Sequence, residues 1–138
     1  MSLNNNNISN DDENFLKDFL KDFYRQIIKI ENYKKIENIL IDWIKDYFII
    51  KEKNSLMILQ LMENHEEKEN WFSSLIGFFY EFDIDDNNIM DKNKSLNFYL
   101  LSINNYKDKK LNSMYQLLNI IISKYLLSFY YYKDIISL

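Results

Sequence analysis

A short polar segment in the second half of the chain resembles the start of a calcium-binding loop. Asp83, Asp85 and Asn87 alternate as the first ligands of such a loop do. However, Asn88 stands where this loop needs glycine, and Lys94 stands where it needs a bidentate glutamate. Because the lysine would bring a positive charge into the metal shell, the pattern predicts a solvated interhelical loop, with calcium binding as the alternative.

The remaining residues with catalytic potential are scattered. The single histidine, His65, lies in the charged run Glu63–Glu67 and is predicted to be exposed. One histidine in a chain without cysteine cannot build a transition-metal site by itself. Carboxylates elsewhere recur beside lysines at helical spacing, as Asp42, Lys45 and Asp46 do, which is typical of a solvated helix surface. The sequence therefore predicts a non-enzymatic protein without catalytic residues, cofactor or metal.

Composition favours a folded, all-helical chain. Of its 138 residues 47% are apolar, with 10 Phe and 11 Tyr that need a core. No proline and one glycine leave few residues for tight β-hairpins. The net charge of −4 favours a protein partner with a basic surface over nucleic acid, and the basic clusters Lys34–Lys35 and Lys107–Lys110 are short. No cysteine and no signal peptide predict a cytoplasmic location.

Apolar residues that recur at intervals of three and four predict up to six helices and no strand. They are expected to form one domain, 11–138, after a disordered Asn-rich leader, 1–10. The predicted helices span 11–30, 33–48, 56–62, 71–82, 92–103 and 113–134. The expected N-terminal caps are Asn10 (with Glu13 completing a capping box), Asn54 or Ser55, Asp91, and Asn112 or Ser113.

The sixth predicted helix is apolar around most of its circumference. Its runs 117–122 and 126–132 have strand-like composition, but Ser123, Lys124 and Tyr125 between them form no turn, which favours one helix. The stretch is too short for a membrane span and carries a central lysine. Such a helix should be buried. Either it packs against the N-terminal helices, or it leaves an exposed patch for a partner, a second copy or the remainder of a longer repeat array.

Two segments of the chain can be superposed as an internal repeat. Residues 75–80 lie over residues 126–131, which places Gly77 over Ser128. A small residue in the middle of a helix lets a neighbouring helix approach closely. Both positions are therefore predicted to be helix-packing sites.

The same residues resemble the Sel-one-like repeat family, which is related to the tetratricopeptide repeats. Its first helix is similar to Ile76-Gly77-Phe78-Phe79-Tyr80, its second is similar to 91–103, and the resemblance covers about 71–135. Glycines usual between the helices of this family appear here as Asp83 and Asp85. Residues 11–66 resemble the helical lead-in of expanded fungal sets of these proteins. The structural repeat positions are Ile76, Gly77, Tyr80, Lys94, Ser95, Phe98, Tyr99 and Ser102.

The resemblance implies a short α-solenoid of antiparallel helix pairs that acts as a protein-binding scaffold or adaptor. The first helix of each pair would line a concave surface facing the partner, although simple core packing is the alternative for each aromatic residue. A regulatory fragment or remnant of a protein-kinase-like repeat protein and a peripheral membrane protein are the other hypotheses. The residues implied in partner binding are Phe78, Glu81, Phe82, Tyr125, Phe129, Tyr132 and Lys133.

Overall fold

Six α-helices make up the computed structural model of the chain, which describes residues 8–31, 33–84, 90–108, 111 and 113–136. These ranges contain no strand, which confirms the all-α prediction for them. A 3-10 turn, Tyr33–Lys35, precedes α2, and a π-helical turn, Lys68–Phe72, precedes α4. The helices are α1 Asn10–Ile27, α2 Ile36–Ile50, α3 Ser55–Glu63, α4 Ser73–Phe82, α5 Lys92–Asp108 and α6 Met114–Ile136.

Several predictions fall on residues outside the described ranges. These are most of the Asn-rich leader (1–7), the middle of the calcium-like pattern (85–89) and the alternative cap Asn112. Within the described ranges, no helix combines the length and the apolar composition that crossing a membrane requires.

Helix boundaries differ from the predicted ones where local contacts outweigh residue type. Ser9, not Asn10, caps α1, because its side-chain oxygen accepts a hydrogen bond from the N–H of Asp12 at 3.1 Å. Helix α5 continues to Asp108 through asparagines that were predicted to form a loop. One of them, Asn105, donates a hydrogen bond to the carboxylate of Glu69 at 3.3 Å. The added turn of α5 thus contacts the π-helical turn that precedes α4.

Aromatic side chains join α1 to α2 and to α4. The four-residue spacing of α1 places Phe15, Phe19 and Phe23 in the core, as predicted. The ring of Phe19 stacks on Trp43 of α2 at 6.4 Å and meets Phe79 of α4 edge-on at 6.3 Å. Each such pair adds about 1 kcal/mol to the burial of its apolar surface.

Helix α6 packs against α1, α4 and α5, so the first and last helices share one core. Ile122, Leu126 and Phe129 on its inner face are buried. The prediction that this helix packs against the N-terminal part of the chain is therefore confirmed for the inner face. Helix α6 is parallel to α4, since residue 119 lies beside residue 74 and residue 133 lies beside residue 81.

The closest helix pair, α4 and α5, depends on Gly77. A methyl group built on Gly77 would lie 2.5 Å from Cε1 of Tyr99 and 3.0 Å from the carbonyl oxygen of Ser95. Gly77 is therefore a close-packing site, as predicted. Ser128 is not, because it lies on the exposed side of α6. The small residue of α6 that faces α5 is Ser123, whose hydroxyl lies 2.8 Å from that of Ser102.

Candidate functional site

Five of the seven residues predicted to bind a partner meet around one recess between α2, α4 and α6. Helical spacing of three and four residues brings the members of each helix onto one face. The surrounding side chains leave only about 10 Å³ free in the recess, which is about the space of one water molecule. It is lined by Ile36, Glu37 and Leu40 of α2, by Phe78, Glu81 and Phe82 of α4, and by Leu126, Phe129 and Lys133 of α6.

Glu81 is a buried carboxylate in the wall of this recess. Its Oε1 accepts a hydrogen bond from the hydroxyl of Tyr99 at 2.6 Å. Its Oε2 accepts one from the ammonium of Lys133 at 3.0 Å. A buried charge is tolerated when it is paired and hydrogen-bonded, and Glu81 meets both conditions.

Lys133 links three helices through its ammonium group. Besides Glu81, the ammonium contacts Oε1 of Glu37 on α2 at 2.6 Å. Partial burial lowers the pKa of Lys133, but the hydrogen bonds and charges of Glu37 and Glu81 outweigh this and raise it above its usual value. The lysine is therefore held in its charged form.

Tyr99 is fully buried at the α4–α5 contact. Burial, followed by the nearby charge of Glu81, raises the pKa of its phenol well above the usual 10.0. The hydroxyl consequently remains a donor to Glu81 under all ordinary conditions.

Stability is expected to fall steeply in alkali. Above about pH 10 the unfolded chain releases the Tyr99 proton while the folded chain retains it, so the free energy of unfolding declines by up to about 1.4 kcal/mol per pH unit for this group. Lys133, with its raised pKa, acts in the same direction above its unfolded value of 10.5. Urea denaturation between pH 8 and pH 11 measures this slope. Tyr99→Phe should flatten the decline relative to wild type, and an unchanged slope would contradict the assignment.

The seven residues predicted to bind a partner differ in burial. Phe78, Glu81 and Phe129 are buried in the described conformation, so they expose almost no surface while the Lys133 side chain fills the recess. The two phenylalanines are buried because they pack in the apolar core, and Glu81 is buried because its carboxylate is hydrogen-bonded there. The other four predicted residues, which are Phe82, Tyr125, Tyr132 and Lys133, are half-buried.

His65 was expected to be exposed, but its side chain is only 6% exposed. Its Nδ1 accepts a hydrogen bond from the N–H of Glu67 at 2.9 Å, which assigns the proton to Nε2. Nε2 lies 2.6 Å from the carboxylate of Glu13, and the ring meets Phe72 edge-on. These contacts give His65 a structural role that joins α1 to the segment after α3.

Sequence reasoning missed Asn119, the polar residue most deeply involved in packing. Its Nδ2 lies 3.2 and 3.0 Å from the carbonyl oxygens of Glu69 and Asn70, and 3.0 Å from Oγ of Ser73. Its Oδ1 accepts the N–H of Ser74 at 2.9 Å. Asn119 thus holds backbone groups of the π-helical turn and of the first turn of α4. A lone asparagine within an apolar helix was the available signal.

The outward side of α6 forms a second candidate site, which we term the α6 outer face. It exposes 51% of Met114, 41% of Leu117 and 48% of Tyr131, whereas the single lysine on it is Lys124. Its members recur at intervals of three and four over about 26 Å of helix. The α6 outer face consists of Met114, Leu117, Ile121, Lys124, Ser128 and Tyr131.

The net charge conceals a strong separation along the chain. Residues 1–91 contain 19 acidic and 10 basic residues, whereas residues 92–138 contain seven lysines and two aspartates. The two parts therefore carry net charges of −9 and +5. This separation could have been found in the sequence by counting charges segment by segment, because the overall net charge of −4 does not show it.

The repeat positions cluster at the α4–α5 contact. Tyr80 stacks on Phe98 at 6.1 Å, and the ammonium of Lys94 lies 4.1 Å from the Tyr80 ring centroid. Asp91 caps α5, as predicted, by accepting the N–H of Lys94 at 2.9 Å. Gly77, Ser95 and Tyr99 are buried there, whereas Ser102 is buried against Ser123 of α6. Ile76 is also buried.

The described ranges contain no group of three histidine, aspartate or glutamate residues able to hold a metal ion. The calcium-like pattern lies partly outside these ranges. Comparison of the chain with protein-family models, curated proteins and solved structures finds no match.

Proposed function

We propose that this chain is a non-catalytic adaptor that binds another protein through the α6 outer face. The observation that carries the proposal is an ordered helix surface with three large, well-exposed apolar side chains, Met114, Leu117 and Tyr131. Large apolar side chains exposed on one face of a helix are typical of interaction sites. Residues 109–133 contain no acidic side chain that would oppose desolvation or an acidic partner.

The shape and charge of the face define the partner. A straight face about 26 Å long suits a helix that lays its own apolar stripe along α6. Lys124, the single lysine on the face, favours an acidic residue beside that stripe. The overall acidity of the chain favoured a basic partner, but the segment that carries the α6 outer face favours an acidic one.

The adaptor role agrees with the resemblance to Sel-one-like repeats. Close packing at Gly77 supports it, as does Asp83, which adopts a left-handed conformation (φ 52°) where that family usually has glycine. The exposure of Ser128 argues against a second repeat in the predicted register. We therefore propose a solenoid-type arrangement only for the helix pair α4 and α5. We also propose a cytoplasmic location for the protein.

Photo-crosslinking tests the proposal. A photoreactive amino acid replaces Leu117 or Tyr131, and in a matched control it replaces Gln60, an exposed polar residue of α3. In extract from cells that express the chain, the first two variants should yield the same discrete protein adduct. Unlabelled wild type should compete for this adduct at least about tenfold better than Leu117→Asp, because the aspartate charge would have to be buried against the partner.

Two results would count against this function. An equally abundant adduct from the Gln60 position would show that the crosslinks are not specific to the α6 outer face. An adduct of twice the chain mass, formed by the purified protein alone, would identify a second copy as the occupant and would replace the adaptor role by self-assembly.

A further inference from the structure

The recess between α2, α4 and α6 already contains a bound cation, which is the ammonium group of the chain's own Lys133. The ammonium lies 2.6 Å from a Glu37 oxygen and 3.0 Å from a Glu81 oxygen. The two carboxylates come from helices other than that of the lysine. The two carboxylates therefore form a cation site, and the cation that occupies it is a side chain of the same protein.

An aromatic ring completes the surroundings of the ammonium. Its nitrogen lies 5.0 Å from the ring centroid of Phe82, within the range at which an aromatic face attracts a cation. Phe82 in turn contacts Phe78, with 4.7 Å between ring centroids. The second oxygen of Glu81 is held by Tyr99, so the buried carboxylate has a fixed orientation.

The walls of the recess fit an alkyl chain better than a metal ion. Ile36, Leu40 and Leu126 supply aliphatic surface beside the two carboxylates. A hard metal ion requires six or more oxygen ligands, whereas a lysine-like chain needs an apolar channel that ends in anions. With the Lys133 side chain in place only about 10 Å³ is free, so an incoming alkylammonium group must take the volume of that side chain.

The recess also has an entrance. The side chains of Lys133 and Glu37 remain 33% and 35% exposed, respectively. A flexible lysine stem can turn toward solvent by rotation of its own side chain, without movement of the helix. The ammonium site can thus exchange one lysine for another.

We propose that this recess is a binding site for an alkylammonium group, filled here by Lys133 and able to accept a lysine side chain of a partner protein in its place. That the incoming lysine belongs to a partner rests on the proposed adaptor function. The existence of the ammonium site does not, and the α6 outer face has no part in it.

Chemical rescue tests the site. Lys133→Ala removes the atoms that n-propylammonium replaces, and this variant should melt at a lower temperature than wild type. Added n-propylammonium should restore most of the lost melting temperature in a saturable manner, whereas equal concentrations of sodium chloride or tetrapropylammonium should not. The matched control, Lys124→Ala, removes an exposed lysine of the same helix and should show neither the loss nor the rescue.

A second substitution identifies the carboxylate ligand. In Lys133→Ala/Glu37→Gln, the half-saturating concentration of n-propylammonium should rise about tenfold, because a charge-assisted hydrogen bond is weakened. If Lys133→Ala does not fold alone, recovery of its helical circular dichroism with n-propylammonium becomes the measurement. Absence of specific rescue, whether of the melting temperature or of the helical circular dichroism, would overturn the ammonium site and leave the crosslinking result at the α6 outer face unaffected.

Discussion

Gly77→Ala should destabilise the protein by about 2–3 kcal/mol, although the same change at an exposed helical position would stabilise it by about 1 kcal/mol. The added methyl group would lie 2.5 Å from a Tyr99 ring carbon and 3.0 Å from a backbone oxygen of α5. Tyr99 cannot yield, because it is fully buried and its hydroxyl is held by Glu81. Helices α4 and α5 must therefore separate. Urea denaturation followed by circular dichroism measures the loss.

Ser128→Ala is the matched control, since Ser128 is the position superposed on Gly77 in the sequence repeat but lies on the exposed side of α6. Its stability should remain within about 0.5 kcal/mol of wild type. In the double variant Gly77→Ala/Tyr99→Leu, the smaller side chain should absorb part of the overlap. The double loss should thus be smaller than the sum of the single losses. Additive losses, or a gain in Gly77→Ala, would refute the close-contact explanation.

Asn119→Leu should cost about 3–4 kcal/mol, because it keeps the side-chain size while removing all hydrogen bonds to the π-helical turn. Two partly buried carbonyl groups and the buried N–H of Ser74 would then lose these partners. Local opening should accompany the global loss. The amide of Ser74 should exchange with deuterium faster than the other amides of α4, which mass spectrometry of exchanged peptides can detect.

Asn105→Leu provides the comparison for Asn119→Leu, since Asn105 makes a single exposed hydrogen bond to Glu69 at 3.3 Å. Its cost should stay below about 1 kcal/mol. Similar losses for the two variants would mean that the Asn119 hydrogen bonds contribute little. The same conclusion would follow if deuterium exchange at Ser74 were unaffected.

Helix content and the inner faces of the helices were predictable from the sequence because apolar periodicity reports burial directly. The spacing of Phe15, Phe19 and Phe23 placed the inner face of α1 correctly. Gly77 was identified as a close-packing site because only a small residue in mid-helix permits such an approach. The same prediction was wrong for Ser128, because the size of a residue alone does not indicate which face of α6 meets α5.

The polar part of the candidate site was only partly predictable. Helical spacing grouped Phe82 and Lys133 correctly with their neighbours, but it could not show that Glu81 would be buried. Burial of a carboxylate depends on partners from other helices, here Tyr99 and Lys133. The π-helical turn was invisible for the same reason, since it is stabilised by Asn119, a residue about 50 positions away.

The contact between α1 and α6 determines when the chain can complete its core during synthesis. Lys17 lies over the ring of Tyr115, a partner made about 100 residues later. At typical rates of about 5–20 residues per second, the side of α1 that meets α6 stays uncovered for several seconds until α6 has been made. Slowed translation before codon 114 should lengthen this interval and increase aggregation of the nascent chain.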